Sequence, residues 1–187
     1  MIEIGDDALV LAARAGDREA EERLVLRHAR PLATVAARLL GSRQDAEDVA
    51  QEALIDALTG LDRLRDPGAF RSWLTRIAVL RVRQILRRRR IARALGLGAA
   101  PADASLEETA APGCSGELRA ELALLDRALD QLSADLRIPW MLRHVEGMEL
   151  TEVADACGCS LATVKRRVAA ADAHVGRHVR IDDGGER

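Results

Sequence analysis

The sequence predicts an all-α protein built as two small helical domains joined by a flexible linker. Three observations carry that expectation. Ala, Leu, Arg and Glu dominate a chain that is 48% hydrophobic, and these residues are good helix formers. Phe70, Trp73 and Trp140 are the only aromatics and Tyr is absent, which disfavours a β-rich core. Residues 96–116, GLGAAPADASLEETAAPGCSG, lack an apolar period, and so long a Gly/Ala/Pro/Ser-rich stretch is uncommon inside one domain. The 187 residues therefore divide into domains at 1–95 and 117–181 on either side of a linker at 96–116.

Each element has its own signals. Asp6 and Asp7 are placed to cap a short first helix that Gly16 ends, and Asp17 is placed to cap the next. Leu24, Val25, Leu32, Val35, Ala36, Leu39 and Leu40 follow at roughly helical spacing. Pro31 is expected to kink or split this helix, and Gly41 to close it. Ser42, with Asp45 three residues on, reads as a cap with an acidic N3 residue. A helix from about Asp45 to Leu58 places Val49, Ala53, Leu54 and Leu58 on one side, leaving Asp48, Gln51, Glu52 and Asp56 as a polar remainder. After the loop LDRLRDPG, Asp66-Pro67 opens a long helix through Phe70, Trp73, Leu74, Ile77, Leu80 and Ile85 to the run Arg87–Arg90. Phe70 and Trp73 share a face with Ile77 and are expected in the core. The second domain should hold helices near 117–131, 135–145, 150–156 and 161–178.

The net charge of −2 hides a strong alternation. Residues 61–95 carry eleven arginines against two aspartates, between acidic segments at 1–60 and 96–135. A basic block of that density points to a polyanion partner; the alternative is a solvated arginine face, which repels itself without a partner. The acidic segment 96–135 is also placed to mask a basic surface in the free protein.

Other function classes find little support. No apolar run approaches the ~20 residues that span a bilayer, so membrane insertion is not expected. The acidic start MIEIGDD is unlike a secretory leader. Three cysteines, Cys114, Cys157 and Cys159, form an odd, low count that suits a reducing cytosol, and the expected location is cytoplasmic. Cys157 and Cys159 are too closely spaced for a CxxC zinc pair and lack a second pair. His174 and His178 stand at i, i+4, without an evident third ligand. Neither a GxxxxGK[ST] loop nor a GxSxG elbow is present. The expectation is a protein without catalysis, cofactor or metal.

The sharpest motif is LTEVADACGCSLATVKRRVAAADAHV, a short helix, a turn centred on Gly158 and a longer helix capped by Ser160. Val153, Ala154, Cys157, Val164 and Val168 can form the seam between the two helices. This is helix-turn-helix patterning, in which the start of the second helix enters a major groove. Ser160, Leu161, Ala162, Thr163, Lys165, Arg166 and Arg167 then lie where side chains reach bases or phosphates. An ordinary helical hairpin with a basic surface is the bland alternative.

With these residues in view, LRHVEGMELTEVADACGCSLATVKRRV resembles region 4 of sigma-70 factors, which binds the promoter −35 element. DAEDVAQEALIDALTGLDRLRDPGAFRSWLTRIAVLRVRQILRRRR resembles region 2. Regions 2 and 4 alone, joined by a variable linker, are the arrangement of the extracytoplasmic-function (ECF) subfamily. The resemblance covers about residues 7–178. It implies that the chain binds core RNA polymerase, at the β′ clamp and β flap, and directs promoter recognition and transcription initiation. Asp48, Gln51, Glu52 and Asp56 would meet the clamp, an acidic face suited to a basic partner. The loop 62–70 and the helix after it would capture unpaired −10 bases. Arg63, Arg65, Arg71, Arg76 and Arg83 would serve there as cations, and Arg87, Arg88, Arg89 and Arg90 would track duplex phosphates. An anti-sigma factor is a further implied partner.

The sequence departs from the family at Leu64 and Thr75, where aromatics are common, and at Leu80, where Asn often stands. Fewer stacking platforms are therefore available to extruded bases. Two rival readings are a helix-turn-helix regulator acting without polymerase, which leaves the region 2 resemblance unexplained, and a sigma-like adaptor that binds core without initiating.

Overall fold

The computed structural model describes residues 4–97 and 115–178. Four helices build the first domain: α1 (Asp6–Arg14), α2 (Arg18–Leu40), α3 (Arg43–Thr59) and α4 (Phe70–Ala94), with short 3₁₀ turns at Leu61–Arg63 and Pro67–Ala69 between the last two. Four more build the second: α5 (Gly116–Asp130), α6 (Ala134–His144), α7 (Leu150–Cys157) and α8 (Leu161–His178). No strand occurs among the described residues. Cys114 and most of the expected linker lie outside them.

Local chemistry sets the boundaries. The Asp17 carboxylate accepts from the backbone N–H groups of Glu19 and Ala20 and starts α2. Ser42 accepts from Asp45 N–H and starts α3, and Ser115 does the same for α5 through Leu118. Asp6 and Asp7, by contrast, sit in the first turn of α1, where their charge faces the positive helix end, and Gly5 takes the cap position. Gly41 ends α2 at φ 63°, a left-handed conformation that favours glycine.

Pro31 does not split α2, which continues from Arg18 to Leu40. Pro31 is exposed, so water can solvate the carbonyl that loses its partner. Buried Leu24 and His28 before it, and Leu32 and Ala36 after it, hold both halves against one core. In α6 the same residue type, Pro139, is buried within the helix.

Phe70 fills the centre of the first domain, fully buried with Leu24, Leu39, Leu40, Leu74 and Val79. Leu129, Ile138, Met141, Leu142, Val153 and Val164 do the same for the second. Buried Arg137 is held by Asp130, and the indole N–H of Trp140 donates to Asp172 at 2.8 Å, tying α6 to α8. The two domains are docked: α4 packs along α7 and touches α6, and α2 also reaches α6.

Candidate nucleic-acid and polymerase interfaces

The helix-turn-helix expected near the C-terminus is present. Helix α7 opens with a reciprocal capping box between Glu149 and Glu152 and ends at Gly158, φ 63°. Ser160 Oγ then accepts from Thr163 N–H at 3.2 Å, starting α8. Val153, Ala154, Cys157, Val164 and Val168 are all buried in the seam. This leaves Ser160, Leu161, Ala162, Lys165 and Arg166 exposed and Thr163 half-buried at the leading end of α8. Arg167 differs from them. It lies half-buried, with its guanidinium 3.1 Å from Asp135 and 3.7 Å from Cys159 Sγ, so in this conformation it serves packing. Burial pushes the Cys157 thiol up to about 11, against a smaller opposing pull from Arg83.

On α3, Asp48, Gln51, Glu52 and Asp56 are all exposed. Their spacing of three and four residues puts them in one stripe. Two features of the stripe were not anticipated. Ile55 adds an apolar side chain, 55% exposed, to the same surface. Arg81 of α4 bonds to both Glu52 and Asp56, bracing α3 against α4. Beside this brace an open groove of about 650 Å³ is floored by Trp73, Ile77 and Leu80 and flanked by Arg63. Trp73 is thus only half-buried, whereas Phe70 is wholly in the core as expected.

The arginines of the basic block separate into two groups. Arg63, Arg65, Arg71, Arg76, Arg87, Arg88 and Arg90 are exposed. Arg83 and Arg89 are half-buried and engaged: Arg89 binds the Leu40 carbonyl and Asp45, and Arg83 donates to the Cys157 carbonyl at 2.9 Å. The segment 61–69 is organised from below by Arg14, which donates to the carbonyl of Leu61 at 2.8 and 3.1 Å and to that of Leu64. Leu64 is buried, so the position where the family often places an aromatic here belongs to the core. These braces join residues 47 or more apart in sequence, and no local pattern announces them.

Between the domains lies a cleft of about 1100 Å³. Arg83, Arg87, Arg90 and Arg93 line one wall, and Asp126, Asp130 and Asp135 the other. Of the acidic segment 96–135, Asp135 forms an ion pair with the basic helix, at 3.8 Å from Arg83, while Asp130 is engaged by Arg137 within its own domain. Among the described residues no group of three His, Cys, Asp or Glu side chains is arranged to hold a metal ion. No helix among them is long and apolar enough to cross a membrane. His174 and His178 stack at 4.5 Å between ring centroids.

A helix-turn-helix with an exposed cationic second helix, a long arginine-bearing helix and an acidic stripe together define a DNA-binding protein equipped for a protein partner. Comparison with known proteins supplies the family. Residues 24–91 match Sigma-70 region 2, and residues 122–174 match Sigma-70, region 4. The chain is 31% identical over 177 residues to the RNA polymerase sigma-H factor of Pseudomonas aeruginosa, covering 87% of this chain and 88% of that one. It is also 31% identical over 179 residues to the ECF RNA polymerase sigma-E factor of Escherichia coli K12, covering 89% and 90%. Among solved structures, CnrH in complex with the cytosolic domain of CnrY superposes with a TM-score of 0.68 at 28% identity, over 95% of this chain and 99% of that one. The sigma factor RpoE of Bartonella quintana, in complex with the anti-sigma factor NepR, shares the fold at a TM-score of 0.62 and 24% identity, over 86% and 97%.

The chain belongs to the sigma-70 family, in its ECF subfamily. Its function is that of a sigma factor, directing RNA polymerase to promoters for transcription initiation.

Proposed function

We propose that this sigma factor divides its work among three surfaces. Asp48, Gln51, Glu52 and Asp56, with Ile55 among them, dock on the β′ clamp of core polymerase, and the second domain sits at the β flap. The segment 61–70 and the outward arginines Arg63, Arg65, Arg71, Arg76, Arg87, Arg88 and Arg90 hold the −10 region, with Arg83 joining them when it is released from Cys157. The leading end of α8 reads the −35 element, with Ser160, Leu161, Ala162 and Thr163 toward the bases and Lys165 and Arg166 toward phosphates. Arg89 and Arg167 support these surfaces by fixing α4 to α3 and α8 to α6.

The observation that carries this reading is the coexistence, on one chain, of the acidic α3 stripe and an outward-facing cationic α8. A duplex reader acting alone has no use for the former. Each surface alone binds weakly; attachment to one polymerase makes the two contacts effectively intramolecular and raises occupancy. The domains of the reading are 1–95 and 117–181. The protein performs no catalysis of its own and works in the cytoplasm. A protein of the anti-sigma class that covers the polymerase-facing surfaces is its regulator, a reading supported by the Bartonella quintana complex.

The test is run-off transcription with core polymerase on a genomic library, followed by sequencing of transcript starts. A shared pair of upstream motifs is the expected result. A chain that neither associates with core nor yields defined starts would overturn the reading.

A further inference from the structure

We propose that the cleft between the two domains is a binding site for a small polyphosphorylated ligand, recognised through its chain of phosphates.

Charge favours such an occupant. Seven arginines and three aspartates line the cleft of about 1100 Å³. Two of the three aspartates are already engaged, Asp130 by Arg137 and Asp135 by Arg167 at 3.1 Å and Arg83 at 3.8 Å. Arg87, Arg90 and Arg93 of α4 stand exposed along the opposite wall. A concave wall dominated by one sign of charge concentrates ions of the other.

Buried donors point the same way. Arg137 is only 9% exposed, yet its Nε has no acceptor among the described residues. Arg83 gives Nη1 to the Cys157 carbonyl and leaves buried Nε and Nη2 without an acceptor there. Nε2 of His174 is in the same condition. All three side chains line the cleft. Buried N–H groups in folded proteins nearly always find an acceptor, so several of them around one cavity call for an anion. The start of α6 adds backbone donors: Ser133 holds the cap position without a side-chain cap hydrogen bond, and Ser133 and Ala134 line the cleft. The N-terminus of a helix attracts phosphate.

Spacing selects a chain of phosphates over a single one. Arg83, Arg87 and Arg90 follow one another at i, i+4 and i+7 on one face of α4, and Arg93 extends the row. At 1.5 Å per residue, Arg83 to Arg93 covers about 15 Å. One phosphate meets one or two guanidinium groups; a linked series meets those of successive turns, each through paired charge-assisted hydrogen bonds. The cleft also matches the upper size of small-molecule sites, about 1000 Å³, and Leu40, Leu86, Leu132 and Leu136 give it an apolar part suited to a base.

The test is isothermal titration calorimetry on the full chain, without polymerase or DNA, in magnesium-free buffer. The probes are tripolyphosphate, ATP and orthophosphate. Tripolyphosphate and ATP should bind at a single site at least about tenfold more tightly than orthophosphate. Arg93→Glu and Arg127→Glu alter cleft residues that serve none of the polymerase or DNA surfaces proposed above, so the outcome is independent of those assignments. Each should weaken tripolyphosphate binding by about tenfold. Arg30→Glu makes the same change of charge on α2, outside the cleft, and should weaken it by less than about twofold. Circular dichroism checks that each variant remains helical, and the matching Arg→Gln substitution replaces any that does not. A parent chain that binds neither tripolyphosphate nor ATP, equal affinity for orthophosphate, or equal losses in all three variants would each overturn the proposal. Tighter binding of ATP than of tripolyphosphate supports a nucleotide as the ligand, and equal binding supports a free polyphosphate.

Discussion

Asp172 accepts the indole N–H of Trp140 at 2.8 Å, and the same oxygen lies 3.1 Å from His144 Nε2. One carboxylate on α8 thereby fixes two rings on α6, at the back of the helix whose front is proposed to meet DNA. Replacing Asp172 with Ala strands the N–H of Trp140, a residue only 7% exposed. The expected loss is about 1 kcal/mol, read as a lower thermal midpoint for the chain. Asp172→Asn should lose less, because an amide oxygen still accepts.

Gly158 carries a left-handed backbone, φ 63°, at the turn between α7 and α8. Gly158→Ala should cost about 1 kcal/mol from backbone strain alone, since the new methyl would meet Arg76 only at ordinary van der Waals distance. The measurement is chemical denaturation of the variant beside Gly176→Ala, where nothing lies within 4 Å of a built Cβ. Gly176→Ala should be neutral or stabilising, since it raises helix propensity.

Arg166 and Arg167 are adjacent and superficially equivalent, yet one is exposed and the other is held by Asp135 and Cys159. Arg166→Ala should weaken binding to a −35 duplex and reduce the slope of log affinity against log salt by about 1. Arg167→Ala should lower thermal stability and change that slope less. Fluorescence anisotropy across a salt series separates the two, and equal slopes for both variants would contradict the structural division.

Burial holds the Cys157 thiol neutral, with its pKa pushed up from 9.0 to about 11. At pH 8 the thiolate fraction in the folded chain should be about a hundredfold below that in the unfolded chain. Iodoacetamide should therefore modify Cys157 rapidly in urea and slowly without it, as read by fragment mass spectrometry. The fold favours the protonated thiol, so this group's stabilising contribution is intact below pH 9.0 and is lost as pH rises toward about 11.

What could be read from the sequence was what is decided locally. Asp17, Ser42 and Ser160 announced helix starts because a short acceptor side chain beside an apolar periodicity has few other uses, and each accepts a backbone N–H as expected. The seam residues of the helix-turn-helix followed from spacing. Of the kink or split expected at Pro31, the split does not occur, because a tertiary core spans both halves of the helix and overrides local propensity. Trp73 shares the face of α4 that predicts burial for Phe70 and Ile77, but the groove beside Gly60 leaves it half-open. The interdomain contacts were beyond reach. Arg38 and Glu146 are 108 residues apart, and the acceptor for Arg83 is a main-chain carbonyl, which carries no side-chain signature. The acidic segment was expected to cover basic surface, and among the described residues Asp135 pairs with Arg83 of α4.

Arg14 holds the carbonyls of Leu61 and Leu64 from a helix that precedes the region 2 match, which begins at residue 24. A chain trimmed to that match would keep the acidic stripe and the arginine-rich helix but lose the strut beneath the segment between them. Such a truncation should still associate with polymerase while opening promoter DNA poorly. The first described helix would then matter for the separation of strands through the segment it supports.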